Sequence, residues 1–346
     1  MLTLDEILNG IKQLSDEDRA VVKAELPGRL PVMKGDLDTC LARQRFGETG
    51  FKCPHCGSVH IRRNGRTPEG RQRFICCSCG RTFGSRCRTV LAGTHKSAAV
   101  WDSYLECMFR GYSLRRSAKE CGISLTAAFA WRHKILDSLR SCLSKVQLGG
   151  VVETDETYLA VSYKGNHSKG SFQMPRESRM RGHQVHQSGI SKEEVCISCA
   201  ISMDGKSAAA AVALGRADEK EMEGFFNGRL EEGTVLCTDH EPVFRAYCRK
   251  AGYRLVQAEN QEKRERFLIQ RINAYHSRLK QFLGPFRGVS TKYLDNYLAW
   301  NTLRDMGSLR GEEDTVPILR EAFLTSAGTT MKEQRNRPAV PGAEAV

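Results

Sequence analysis

Val151-Val152-Glu153-Thr154-Asp155-Glu156 and Val235-Leu236-Cys237-Thr238-Asp239 are two apolar, β-branched runs that each arrive at an aspartate. Runs of this composition predict strands. A third oxygen comes from Asn273, at the head of Asn273-Ala274-Tyr275-His276-Ser277-Arg278-Leu279-Lys280. That stretch reads as a helix, on which Asn273, His276, Ser277 and Lys280 share one face at i, i+3, i+4 and i+7. Two acids at strand ends and an oxygen on a later helix form the donor set that a hard divalent cation takes. Such sites serve phosphoryl transfer. Taken singly, each aspartate is equally a turn residue at a strand end, so the rest of the chain weighs on the choice.

Residues around the three oxygens follow from the same periodicities. Glu153 and Asp155 share a strand face and Glu156 points away, which makes Glu153 a candidate to support Asp155. Lys280 is placed to hold a phosphate. His276 admits two readings, a ligand or phosphate contact and a plain hydrogen-bonded neighbour. Glu262 and Glu265 fall in a charged stretch that reads as solvated.

The chain has 346 residues, 40% apolar and 27% charged, an ordinary globular composition with room for two or three domains. No apolar run is long enough to span a bilayer, and the N-terminus lacks the basic-then-apolar pattern of a signal peptide. The expectation is a cytoplasmic, nucleoid-associated protein without a membrane partner. Net charge is +13. Residues 41–140 hold 19 Lys and Arg against 6 Asp and Glu, an excess equal to that of the whole chain. A positive field concentrated in one segment favours a polyanion such as double-stranded DNA. The 14 cysteines read as thiols or metal ligands, since a chain of this length without a secretion signal is a poor disulfide scaffold.

Cys53-Pro54-His55-Cys56 and Cys76-Cys77-Ser78-Cys79 are C-x2-C pairs separated by 19 residues. This is the two-knuckle spacing of a tetrahedral, structural Zn²⁺ site. Cys77 competes with Cys76, and the x2 spacing favours Cys53, Cys56, Cys76 and Cys79 as the set. Gly57 and Gly80 follow the knuckles, where the turn needs a permissive backbone. Arg62, Arg63, Arg66, Arg71 and Arg73 surround Phe74 between the pairs and are candidate DNA contacts. Cys196 and Cys199 form another C-x2-C, but in a strand their side chains diverge, so they are read as core. Beyond the ribbon, Gly111–Ser124 reads as helix, tight turn and a new N-cap at Ser124. The following helix carries Trp131, Arg132, His133 and Lys134. Helix, glycine turn and basic helix is the helix-turn-helix pattern, with Arg132, His133 and Lys134 expected to face DNA.

The expected organisation is a helical segment at 1–45, a zinc ribbon at 46–90 and a helix-turn-helix domain at 91–146. An α/β domain follows at 147–320, with strands near 151–159, 194–203, 207–214 and 234–238, and a disordered tail at 321–346. The basic, glycine-rich stretch from Tyr163 to Lys192, with Lys164, Lys169, Arg176, Arg179 and Arg181, is open to two readings, DNA contact and a solvated loop.

The succession of ribbon, helix-turn-helix, Thr154-Asp155-Glu156-Thr157-Tyr158 and Cys237-Thr238-Asp239-His240 resembles the DDE transposases of bacterial insertion sequences. It is most similar to the group related to Merlin elements. Ile272–Lys280 is similar to that group's third catalytic block. Gly288-Val289-Ser290-Thr291-Lys292-Tyr293-Leu294, with Tyr297 and Trp300, matches its most specific signature. The resemblance spans about residues 50 to 302. It implies an RNase H-like mixed sheet flanked by helices, and a catalytic set of Asp155, Asp239, Asn273 and Lys280 with a pair of Mg²⁺ (or Mn²⁺) ions. It also implies DNA contact by Lys292, binding to terminal inverted repeats and target DNA, cleavage and strand transfer, and a homodimer or larger assembly. Asn273 departs from the usual glutamate, although Asn with a Lys seven residues on occurs in this group. Asparagine offers a neutral oxygen and cannot act as a base. The alternatives are a catalytically inactive zinc-ribbon and helix-turn-helix regulator, and a nuclease that cuts without joining.

Overall fold

Between the cysteine pairs the chain forms a three-stranded antiparallel sheet of β1 (Ile61–Arg66), β2 (Gln72–Cys76) and β3 (Thr82–Phe83). Its apolar content is small: Phe51 meets Phe74 edge-on at 4.8 Å and Phe74 stacks on Phe83 at 5.9 Å. A sheet this size buries too little to stand without a metal or other staple. Three helices come next, α1 (Ala98–Phe109), α2 (Leu114–Glu120) and α3 (Leu125–Leu143). Trp101, Tyr104, Leu105 and Met108 make the buried face of α1. Ser113 caps α2 by accepting from the Arg116 amide. Ser124 starts α3 as the sequence predicts, its hydroxyl accepting from the Ala127 amide at 3.1 Å.

This computed structural model describes residues 51–166, 189–239, 242–257, 269–325 and 329–338, with Ser15, Ala42 and Gln173. Apart from Ser15 and Ala42, the segment predicted at 1–45 lies outside the described residues, as do the loop residues Lys169, Arg176, Arg179 and Arg181, His240, Glu262 and Glu265. Two compact units divide the chain: Met1–Ser85 with Gly93–Ala128, and Arg86–Ala92 with Phe129–Val346. The ribbon strands, α1 and α2 thus fall in one unit, and most of α3 falls in the other.

The second unit is a mixed α/β layer structure. Its sheet contains β4 (Val151–Ala160), β5 (Glu194–Ser202), β6 (Ser207–Leu214), β7 (Val235–Thr238) and β8 (Arg254–Gln257). The spatial order is β6-β5-β4-β7-β8. β4, β5 and β6 run antiparallel as a meander, while β7 and β8 add in parallel on the other side of β4. The helices are α4 (Glu219–Phe226), α5 (Pro242–Ala251), α6 (Gln270–Leu283), α7 (Leu294–Arg310), α8 (Glu312–Leu324) and α9 (Met331–Arg335). Val152, Ala200, Ala208 and Leu236 bury one sheet face against Met222, Phe225, Phe226, Phe244 and Tyr247 of α4 and α5. Each aromatic ring removed from water there contributes about 2–3 kcal/mol. α6 packs on β4 and β5, and α7 on β6. Strand alternation makes the α6 side the opposite face, the one carrying Glu153 and Asp155. Buried on both faces, β5 reads as a near-continuous apolar run. Cys196 and Cys199 are fully buried in it.

Three expectations are corrected here. β8 has only four residues with polar ends, too short for a periodicity signal. The tail expected to be disordered from 321 contains the end of α8 and then α9, which Thr330 and Glu333 start with a reciprocal capping box. Its Arg337 pairs with buried Asp137, and its Gln334 is 1% exposed. The third correction is α3. Arg132 and His133 are each 1% exposed and so cannot read DNA. Arg132 lies 5.2 Å over the Trp300 ring. His133 stacks on Tyr293 at 4.2 Å, and its Nδ1 lies 3.1 Å from the Asn296 amide nitrogen. The Lys134 ammonium donates to the Ala92 carbonyl at 2.7 Å, and burial lowers its pKa. The apolar face of Trp131, Ile135, Leu136 and Leu139 decides the packing of α3, and the basic residues beside it go inward.

Burial pushes the His133 imidazole down to about 3, against the pull of Asp137, with Arg337, Arg132 and Lys292 acting in the same direction as burial. Unfolded, the ring takes its proton near pH 6.5. Between these values the unfolded chain binds more protons, so stability is full above pH 6.5 and declines as pH falls. His276, also lowered, adds in the same sense. Urea unfolding of the full chain is expected to lose about 2 kcal/mol between pH 7.5 and pH 5 on account of His133. His133→Asn should flatten that slope; an unchanged slope contradicts the assignment.

Candidate active site

β4 and β7 pair in parallel with Glu153 opposite Cys237. Asp155 and Asp239 each lie two residues beyond that last pair, Asp155 still within β4 and Asp239 just past the end of β7. Asp155 is held locally: its Oδ1 accepts from the Glu156 amide at 2.8 Å, and its side chain is 20% exposed. Asp239 directly follows the last residue of β7, with its Oδ1 3.5 Å from the Thr238 hydroxyl and its carbonyl accepting from Gln257 at 3.2 Å.

α6 brings the third group. Ile272, Tyr275, His276 and Leu279 are its buried face, and Asn273, Ser277 and Lys280 form an exposed stripe beside it. His276 Nδ1 lies 3.9 Å from Asp155 Oδ2. Asn273 stands one turn before His276 on the same side of the helix. Burial and then the Lys280 charge push the His276 imidazole down to about 4, so it is neutral near pH 7. Burial pushes up the thiol of Cys199, the register partner of Asp155, with Asp155 adding to that shift and Lys280 opposing it. Glu156 faces away from Asp155 as predicted, its Oε2 accepting from the Tyr158 hydroxyl at 2.5 Å. Glu153 is 4% exposed, and its Oε2 accepts from the backbone amides of Arg271 and Ile272. Burial pushes its carboxyl up while those two amides pull it back.

In the first unit the four cysteines converge. Sγ atoms of Cys53 and Cys79 are 3.7 Å apart, those of Cys56 and Cys76 3.6 Å, and all four lie within 4.8 Å of one another. A tetrahedral zinc with Zn–S bonds of about 2.3 Å has S–S edges of about 3.8 Å, so the donor set fits that ion. Cys77 is exposed and outside the cluster. Gly57 and Gly80 close the knuckles at φ +76 and +69, a backbone that a side chain would strain. Arg62, Arg63, Arg66 and Arg73 are exposed on the sheet, whereas Arg71 is half-buried and paired with Glu69 at 3.0 Å.

Lys292 is the other departure. Its ammonium donates to Asn166 Oδ1 at 2.6 Å and to the Arg335 carbonyl at 3.4 Å. Thr291 exchanges hydrogen bonds with the Ser162 backbone. The Ser290–Tyr293 stretch therefore ties down the chain just after β4, and its lysine is engaged within the fold. Leu125 and Thr126, which the sequence reading passed over, are exposed at the start of α3 beside the expected N-cap Ser124.

Residues 147–304 match the family model of the ISXO2-like transposase domain. A protein of Halobacterium salinarum, an uncharacterized protein in transposable element ISH50, is 24% identical over 289 residues, covering 82% of this chain and 95% of its own. Among solved structures, the chain is similar to a simian T-cell lymphotropic virus intasome in complex with PP2A regulatory subunit B56 gamma (TM-score 0.28, 11% identity, 57% of this chain and 67% of that one). It is also similar to a pre-cleavage Mos1 transpososome (TM-score 0.25, 11% identity, 63% and 78%). The domain match and the relative support a transposase. Scores this low leave the fold to be argued from the sheet itself. Among the described residues no helix is long and apolar enough to cross a membrane.

Proposed function

We propose that the chain is a DNA transposase that binds terminal inverted repeats, cleaves the element's ends and joins them to target DNA. The observation that best supports the reading is the parallel pairing of β4 and β7, from whose last pair Asp155 and Asp239 are each two residues on, with His276 of the Asn273 helix 3.9 Å from Asp155. The strand order β6-β5-β4-β7-β8, an antiparallel meander extended by two parallel strands, supports an RNase H-like catalytic domain.

Asp155, Asp239 and Asn273 would hold Mg²⁺ or Mn²⁺, which supplies charge neutralisation at the scissile phosphate and a more acidic attacking water. Two carboxylates bring two negative charges; Asn273 adds an oxygen and no charge, and takes no proton. In cleavage a water oxygen forms a bond to phosphorus and the element's 3′ oxygen leaves as a hydroxyl. In joining that hydroxyl attacks a target phosphodiester, whose own 3′ oxygen departs. Each step makes one P–O bond and breaks one. Lys280, exposed one turn beyond His276, neutralises a phosphate oxygen beside the site. The protein's part is positioning and charge, with no covalent intermediate.

A four-cysteine zinc ribbon and a helix-turn-helix of α2 and the start of α3 would hold the end. The exposed Arg62, Arg63, Arg66 and Arg73 are the phosphate contacts. Base reading falls to Ser124, Leu125 and Thr126, since the N-terminal turn of a recognition helix is the part that meets base edges. Two ends must be joined, which calls for a dimer or larger assembly. Replacing Arg62, Arg63 and Arg66 together by Ala is expected to weaken end binding and to reduce the slope of log affinity against log salt by about 2–3. Arg132→Ala should lower stability and leave that slope alone. A salt slope unchanged in the triple variant removes β1 from the interface.

The deciding assay offers the full chain a pre-cut terminal-repeat duplex, target DNA and Mg²⁺. Joined product supports the transposase. Nicking alone supports a nuclease of the same fold, and binding alone a regulator.

A further inference from the structure

The helix that carries Asn273 has no start signal of its own. Ile269 stands at its N-cap without a side-chain hydrogen bond, and its first turn holds no acidic residue. Elsewhere in the same unit local residues do this work: Asp218 with Glu221 starts α4, and Thr330 with Glu333 starts α9. Open amides at a helix start need acceptors and carry a partial positive charge. For α6 the acceptor arrives from far upstream. Glu153 Oε2 takes the Arg271 amide at 2.9 Å and the Ile272 amide at 3.0 Å. Glu153 lies two residues before Asp155 on the same strand face, and Asn273 follows Ile272 directly.

We propose that Glu153 is a positioning residue, whose carboxylate fixes the start of α6 against β4 and so sets the Asn273 oxygen relative to Asp155. The inference rests on the donor set proposed above. Two amides converging on one oxygen leave the helix start little freedom to slide or rotate. Metal ligands need placement to within about 0.5 Å, and a helix end tied to the adjacent strand provides it. Glutamine keeps an acceptor oxygen at the same reach, methionine fills the volume without one, and aspartate withdraws the oxygen by a methylene.

The test is Mn²⁺ binding to the full chain, purified with zinc in the buffers and followed by the electron paramagnetic resonance of free Mn²⁺, so that no turnover is needed. Glu153→Met is expected to weaken Mn²⁺ binding about tenfold, as Asn273→Ala does. The double variant should be no weaker than Asn273→Ala alone, and Glu153→Gln should stay within about twofold of wild type. Asp218→Ala, which removes a cap on the other sheet face, should lower the melting temperature and keep the Mn²⁺ affinity. Wild-type affinity in Glu153→Met, or losses that multiply in the double variant, overturn the proposal. Should Glu153→Met not fold, Glu153→Asp carries the test, with a loss of about threefold or more expected and wild-type binding as the contrary result. Mn²⁺ binding that survives both Asp155→Asn and Asp239→Asn removes the donor set itself, a failure distinct from that of Glu153.

Discussion

Asp155→Asn and Asp239→Asn are each expected to reduce strand transfer of a pre-cut end about 1,000-fold, with end binding within about twofold of wild type. The substitutions preserve shape and one oxygen but remove a charge. Three donors carrying two charges already hold a divalent ion less firmly than three carboxylates would. With Asn273 in place, a second neutral donor leaves one negative charge at the site. End binding should survive because the contacts proposed for it lie on β1 and at the start of α3. The measurement is a joining assay in Mg²⁺ beside a mobility-shift titration. Joining retained by either variant takes that residue out of the site, and loss of joining and binding together points to misfolding. Asn273→Ala belongs in the same series: wild-type joining there means that another residue supplies the third oxygen.

Loss of the zinc proposed for the four cysteines is expected to have the second largest effect. β1, β2 and β3 are held by a few aromatic contacts, whereas a structural zinc contributes on the order of 10–16 kcal/mol of apparent binding free energy. Cys53→Ser or Cys76→Ser, or treatment with a strong chelator, should unfold the ribbon. The exposed arginines then lose their common frame, and affinity for the terminal repeat should fall at least about tenfold, since several phosphate contacts are lost together. Zinc content by atomic absorption and binding by fluorescence anisotropy, before and after chelation, check this. Cys77→Ser, outside the cluster, should change neither. Unaltered end binding in the zinc-free chain contradicts the role given to the ribbon.

Much of the second unit was legible in the sequence because its strands obey simple periodicities. Val151–Ala160 and Val235–Thr238 are apolar and β-branched, and both form strands close to the expected bounds. The cysteine cluster was legible for a different reason: four cysteines at fixed spacing limit where their side chains can meet, and Cys53, Cys56, Cys76 and Cys79 converge. Elsewhere local pattern misled. Arg132, His133 and Lys134 look like a basic recognition face only until their partners are known: Trp300 and Asn296 of α7, which begins more than 150 residues later, meet Arg132 and His133, and the Ala92 carbonyl takes Lys134. Lys292 resembled a DNA contact, but its ammonium meets Asn166 and the Arg335 carbonyl. Neither partner can be read from the neighbouring sequence. The same holds for the start of α6, which lacks local capping residues because Glu153 supplies the acceptor. Short, largely polar elements give no apolar run to read: β8, no shorter than β7, begins with Arg254 and ends with Gln257, and α9 is Met331–Arg335. The α9 capping box, Thr330 followed three residues later by Glu333, was a readable signal that the expectation of a disordered tail passed over.

The most direct test of the central claim is anomalous diffraction at the manganese edge from crystals of the full chain grown with Mn²⁺. The account predicts a peak about 2.2 Å from carboxylate oxygens of Asp155 and Asp239, with the Asn273 amide oxygen at its side. A peak elsewhere, or these three side chains too far apart to meet at one ion, would contradict it.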